Sequence, residues 1–304
     1  SIRVQKVLSD GTMQWVGGIS GLPVDITGLP VDLSIVDDGS GGAVLVYKYD
    51  DLGVMKLKAQ RIDSVGNLVW SSGVLISDSV GTSTAPKVLS DGSGNVIIAW
   101  EEYIAGDYDI YAQKLDAAGN KLWQSGNAYD IPVSSVTGDQ LSVGIIDDGV
   151  GGVIITWIDG RSPDGGVYAQ RLDGNGNIQW KSDGEQVSSS TLAISDINIA
   201  DGGSGSAVIS WIGANDVYMK KIWSNGLLYE GNIVDVSIPD ILVGDPGDVV
   251  WANMEVNNIL ETDSVVSFQF ALTTDTSVVR IAGIDTIGTL VAGMLIDTNF
   301  SYVD

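Results

Sequence analysis

The 304-residue chain contains no cysteine and no histidine, and it is short of positive charge, with 15 Lys and Arg against 39 Asp and Glu. Each absence excludes something. Without cysteine there are no disulfides and no thiolate metal sites. Without histidine the commonest general base is missing, and with it the Ser-His and Cys-His nucleophile pairs and the usual zinc and copper ligands. The formal charge of -24 repels phosphate backbones, so no nucleic-acid partner is expected, and anionic membrane surfaces are disfavoured in the same way. No apolar run approaches the length of a spanning helix, so no membrane insertion is expected either. Ser1 opens directly into strand-like sequence, without a basic start and apolar stretch. Glutamate is scarce as well: 33 of the acids are Asp and 6 are Glu. Asp favours turns and Glu favours helices, so with 39 glycines the chain reads as rich in turns and poor in amphipathic helix.

What the chain does have is repetition. "DIYAQKLDAAGNKLW", Asp109–Trp123, returns as "GVYAQRLDGNGNIQW", Gly166–Trp180, and precedes itself as "LKAQRIDSVGNLVW", Leu57–Trp70. Asp-Gly recurs at Asp38, Asp91, Asp148 and Asp201, with an aromatic nearby at Tyr47, Trp100, Trp157 and Trp211. A tryptophan closes the second hairpin at Trp15, Trp70, Trp123 and Trp180, with Tyr229 at the end. Each unit reads as two hairpins, with Asp-Gly-Ser-Gly and Asp-x-x-Gly-Asn as turns. The fourth strand is expected to start at the tryptophan, as in "KLW". The second strands, "GAVLVY", "NVIIAW", "GVIITW" and "SAVISW", are apolar almost throughout, the pattern of a strand covered on both faces. Four-stranded units of about 50 residues stacked in this way describe the blades of a β-propeller, with a β-sandwich array as the runner-up. The expected fold is therefore all-β: a half unit at 1–28, full units at about 29–81, 82–138, 139–190 and 191–233, and a different segment at 234–304.

These units resemble the propeller-type repeats of secreted prokaryotic surface proteins, whose pattern runs Trp-x-Asp-x-Arg, then Asp-Ile-Tyr-Ala-Gln-Arg-Leu-Asp, then Gly-Asn-x-x-Trp. The third unit matches best, with Trp157, Asp159, Arg161, Tyr168, Ala169, Gln170, Arg171, Leu172 and Asp173. The second has Glu102 in place of the Asp and Ile104 in place of the Arg, and the first has Tyr47, Tyr49 and Asp51 there. Residues 234–304 resemble the first half of a cohesin-like β-sandwich, through Pro246, Gly247 and Asp248, then Phe268, Phe270 and Leu272, then Asp275, Ser277 and Val278. The resemblance implies an extracellular or cell-surface location.

Chemistry is thinly signalled. Asp173, Asn175 and Asn177 start like a calcium loop, but Ile178 stands where the glycine belongs and no Glu follows at the twelfth position. They read as a turn, so no cofactor is expected beyond weak surface calcium. The connection between strands two and three carries Glu102, Asp107 and Asp109 in the second unit and Asp159, Arg161 and Asp164 in the third. Its length is held in the first three units, and shortened in the fourth, while its content changes, which suits ligand binding at the rim of a fixed scaffold. The expected role is a non-enzymatic structural or adhesive module acting through protein–protein contacts in a surface assembly or filament, its unequal hairpins completed either by strands from other copies or by more of the same polypeptide. The alternative is a carbohydrate-binding or carbohydrate-active protein that uses the propeller rim.

Overall fold

The computed structural model describes residues 2–228 apart from 16–19, 26–30, 78–80, 125–129, 162–164, 190–193 and 214–215, and beyond them only 236–237 and 255–256. The chain is all-β. A two-stranded sheet, β1 (Ile2–Val4) and β2 (Leu22–Asp25), comes first. Four larger antiparallel sheets follow: β3 (Val31–Asp37) to β6 (Val74–Leu75) through β4 (Ala43–Asp51) and β5 (Val54–Ile62); β7 (Thr82–Ser90), β8 (Val96–Ile104), β9 (Asp107–Leu115) and β10 (Ile131–Ser134); β11 (Gln140–Asp147), β12 (Val153–Asp159), β13 (Gly166–Leu172) and β14 (Glu185–Ser189); and β15 (Ile194–Asp201), β16 (Ala207–Gly213) and β17 (Asp216–Ile222), extended by β18 (Val236–Ser237) and β19 (Glu255–Val256). Strands pair in chain order within each sheet, giving a β-propeller-like array. Those two short strands apart, the cohesin-like reading of 234–304 lies outside the described residues, as does Tyr229.

Cores form between consecutive sheets, and the apolar second strands explain how. Alternate residues of a strand point to opposite faces. On β8, Val96, Ile98 and Trp100 pack with Val44 and Val46 of the preceding sheet, while Ile97 and Ala99 pack with Val153, Ile155 and Trp157 of the next. A strand sandwiched in this way can hold no polar face, which is why the sequence does not alternate there.

The repeated tryptophan is a device for joining sheets. The indole N–H of Trp15, Trp70, Trp123 and Trp180 donates to the carbonyl of Ser64, Ala117, Gly174 and Ser224 respectively, in the Asp-x-x-Gly turn of the next unit for the first three and in the equivalent Trp223–Gly226 turn for the last. The glycine of that turn lies under the ring. At Gly176, with φ +82°, a Cβ would come 2.7 Å from Trp123 Cγ. The glutamine of the Ala-Gln step holds the tryptophan backbone: Gln113 Nε2 donates to Trp123 O at 3.1 Å, and Gln113 Oε1 accepts from Trp123 N at 3.0 Å. This clamp corrects the expected fourth strand. Around the tryptophan there is only an isolated bridge, Leu115↔Lys121 in the second unit, and strand four is β10, beginning at Ile131. The Asp-Gly aspartates serve the hairpin turns: Asp38 accepts from the N–H of Ser40 and Gly42 and pairs with Arg61, and Asp148 repeats the arrangement with Val150, Gly152 and Arg171.

Candidate functional site

The first strands of successive units lie beside one another: β7 against β3 and β11, and β11 against β15. Each of these strands carries a β-bulge at the same place, and each bulge holds a non-glycine residue in the left-handed region: Asp32 (φ 50°), Ala85 (47°), Ser142 (61°) and Asp196 (49°). Left-handed backbone at non-glycine residues costs free energy and persists where the surroundings enforce it, commonly at functional sites. Bulges also re-aim side chains next to such sites. Here three of them meet at a cavity of about 280 Å³ lined by Ala85, Lys87, Ser142, Val143, Asp196 and Ile197.

Carboxylates at these bulges are driven apart in proton affinity. Asp32 is held below the usual carboxylate range, first by the Lys48 ammonium 2.5 Å away and then by the Thr84 hydroxyl at 2.9 Å. Glu101, buried and opposite Thr84 across the β7–β8 ladder, is pushed up by its burial. The N–H groups of Ser142 and Val143, donating to its Oε1 at 2.7 and 3.4 Å, offset part of that effect. The fields of Lys87 and Asp32 both reach Glu101. Two carboxyl groups whose surroundings push their proton affinities in opposite directions are the ingredients of acid–base chemistry. Sequence reasoning missed this group. Its only signal is positional, spacings of 53, 57 and 54 from Asp32 to Asp196, because the residue type changes from unit to unit.

The six rim residues named from the sequence fall into separate places. In the third unit Asp159 accepts the Trp157 indole N–H at 2.7 Å and pairs with Arg161. The Arg161 guanidinium lies 4.0 Å from the centre of the Tyr168 ring and donates to Asp183 O. Gly166, opposite Asp159, leaves that face clear for it. In the second unit Glu102 accepts the Trp100 indole N–H at the same 2.7 Å, together with the hydroxyls of Ser77 and Ser83. Ile104 supplies no cation there, and Asp109 stands where the third unit has Gly166. Two carboxyl groups therefore share a buried face. Burial, with the charges of Asp107, Asp183 and Glu102, pushes Asp109 up to about 6. Asp107 is bound to the N–H of Gly138 at 2.9 Å, and Asp164 lies outside the described residues. Asp173 has both oxygens engaged within its turn, by Asn175 N, Asn177 and Gln179 Nε2. No helix among the described residues is long and apolar enough to cross a membrane.

No protein-family model matches the chain, and no curated protein does. Solved structures match the chain at low identity. An endo-arabinase from Bacteroides thetaiotaomicron is 16% identical with a TM-score of 0.41, over 71% of this chain and 84% of that one. The catalytic domain of a GH62 alpha-L-arabinofuranosidase from Coprinopsis cinerea is 12% identical with a TM-score of 0.38, over 68% and 70%. A protein of unknown function from Dyadobacter fermentans is 12% identical with a TM-score of 0.41, over 65% of this chain and 66% of its own length. Two expectations are corrected here, that of an adhesive module and that of a protein without enzymatic activity. The matching structures are mostly named as glycoside hydrolases or glycosidases, and none is named as an adhesive module.

Proposed function

We propose that the protein acts on carbohydrate, with the cavity between the bulged first strands as the saccharide site and glycosidic-bond hydrolysis as its chemistry. The observation that carries this reading is the convergence of repeated left-handed bulges on a cavity whose lining residues Ser142 and Val143 donate to Glu101, a carboxyl whose proton affinity burial raises, with Asp32, a carboxylate whose proton affinity is lowered, held through Thr84 at the next bulge. Glycoside hydrolysis needs this division of labour, an acid to protonate the leaving oxygen and a carboxylate to act at the opposite side of the sugar. Glu101 is assigned the first role and Asp32 the second. Histidine is absent from the chain, and carboxyl groups are the acid and base that this chemistry ordinarily uses. A polymeric substrate suits an extracellular or cell-surface location, which belongs to the same proposal, as do the repeat resemblance and the cohesin-like reading of 234–304.

The test is reducing-sugar release from a panel of arabinan, xylan, galactan, mannan and polygalacturonate. Glu101→Gln is expected to lower kcat at least a hundredfold on the substrate the wild type cleaves, the usual scale of general-acid loss, while binding persists. Panel-wide silence, in both hydrolysis and binding, would refute the reading.

A further inference from the structure

The cations of this chain are few, and most of the described ones are held. Arg61, Arg161, Arg171, Lys48 and Lys114 are each paired with an aspartate. The Lys87 ammonium makes no ion pair and no hydrogen bond among the described residues, yet it is exposed and lines the cavity between the bulges. The scaffold does not call for a lysine there. At the equivalent position of the first strand, two residues beyond the bulge, the other units carry Ser34, Gly144 and Asn198, facing Val46, Thr156 and Ser210 as Lys87 faces Ala99. Gly144 has a packing reason, since a Cβ would come within 3.1 Å of Thr156 and 3.2 Å of Ile199. Lys87, by contrast, is exposed and is the cation that the lining of this cavity carries.

We infer that the saccharide taken by this cavity is anionic, and that its carboxylate or sulfate pairs with Lys87. This rests on the reading of the cavity as the saccharide site. A compact ammonium on a flexible stem suits a single anionic group, and pairing here displaces no internal partner. Asp196, on the same cavity, would accept sugar hydroxyls and hold the anion to the Lys87 side. The chain's own negative field repels polyanions at long range, so a local cation is needed for such a ligand to dwell. Lys87 also bears on the chemistry. Its charge lowers the proton affinity of Glu101, so an anion bound to it leaves Glu101 better able to hold its proton.

The test is calorimetry with three probes, a galacturonic-acid trisaccharide, a sulfated galactose trisaccharide and neutral xylotriose, against the wild type and Lys87→Met. At least one anionic probe is expected to bind the wild type ten times more tightly than xylotriose, to weaken as salt rises, and to lose that advantage in Lys87→Met, with Lys87→Arg keeping part of it. The anionic probe that binds decides between carboxylate and sulfate. Equal binding of neutral and anionic probes, or an anionic preference that survives Lys87→Met, overturns this inference and leaves the saccharide site standing. Failure of all three probes to bind overturns both. Lys87 is exposed, so an unchanged urea midpoint is expected and separates loss of binding from loss of fold.

Discussion

Arg161 and Ile104 occupy the same place in two successive units, and the difference shows what a single residue settles. In the third unit the guanidinium neutralises Asp159, covers Tyr168 and ties the loop at Asp183. Arg161→Ala leaves Asp159, fully buried, with an uncompensated charge. It should cost about 3 kcal/mol in urea unfolding, the scale for breaking a buried pair from one side, and Arg161→Lys should recover only part because one ammonium cannot reproduce the fork. In the second unit the missing cation leaves Asp109 beside Glu102, and the consequence is a pH dependence. Asp109 binds its proton with a pKa near 3.8 when unfolded and about 6 when folded. Because the folded state holds the proton more tightly, this contribution to stability is present below about 4 and is lost as pH rises to about 6. The urea midpoint of Asp109→Asn relative to wild type should therefore rise between pH 4 and pH 6 and be flat above pH 7. A difference that stays constant from pH 4 to pH 7 would show Asp109 to be an ordinary exposed acid.

Among elements, the Asp-x-x-Gly-Asn turn does two jobs at once, reversing the chain and receiving the tryptophan of the unit before. Gly176→Ala would force a left-handed alanine and drive its Cβ into Trp123, for about 3 kcal/mol from strain and overpacking together. Gly149→Ala has a similar φ of +77° but open space around it, so it should cost only about 1 kcal/mol. Equal losses in thermal unfolding would mean that the contact with Trp123 is unimportant. The same turn shows what was legible in the sequence. Its Asp, Gly and Asn recur at fixed spacing in three units, so the repeat, the hairpin turns and the doubly buried second strands could be read directly. The fourth strand could not, because "KLW" has strand composition and nothing local reveals that Gln113 takes over the hydrogen bonds of Trp123. The bulges escaped for a different reason. Asp32, Ala85, Ser142 and Asp196 share a backbone conformation but not a residue type across all four units, so a pattern written in residue types passes over them. The rim acids were visible as types, but only the register pairing Glu102 with Asp109 and Asp159 with Gly166 assigns them their surroundings.

At the scale of the whole molecule the sheets are joined to their neighbours in one direction, and the acid surplus is spread over their turns. Much of that surplus is already occupied. Asp63, Asp116 and Asp173 each hold the Asn four residues on by side chain and backbone, and Asp38, Asp91 and Asp148 hold a lysine or arginine. Hydrogen bonds from Asn67 keep Asp63 below the usual carboxylate range. Carboxylates bound in this way are poor ligands for a hard cation, which needs six or more oxygens free to converge. No group of three or more acidic side chains with metal-binding geometry occurs among the described residues. What remains is self-repulsion from a net charge of -24, and screening relieves that without regard to ion identity. The melting temperature should therefore rise by a few degrees between about 10 mM and 150 mM sodium chloride, the range over which the screening length falls to about 8 Å. Calcium and magnesium at equal millimolar concentration should give matching, modest increments on top. A calcium-specific rise at micromolar concentration, absent with magnesium, would mean that some of these turns open to take up the ion, and the account of the aspartates as turn and pairing residues would have to be abandoned.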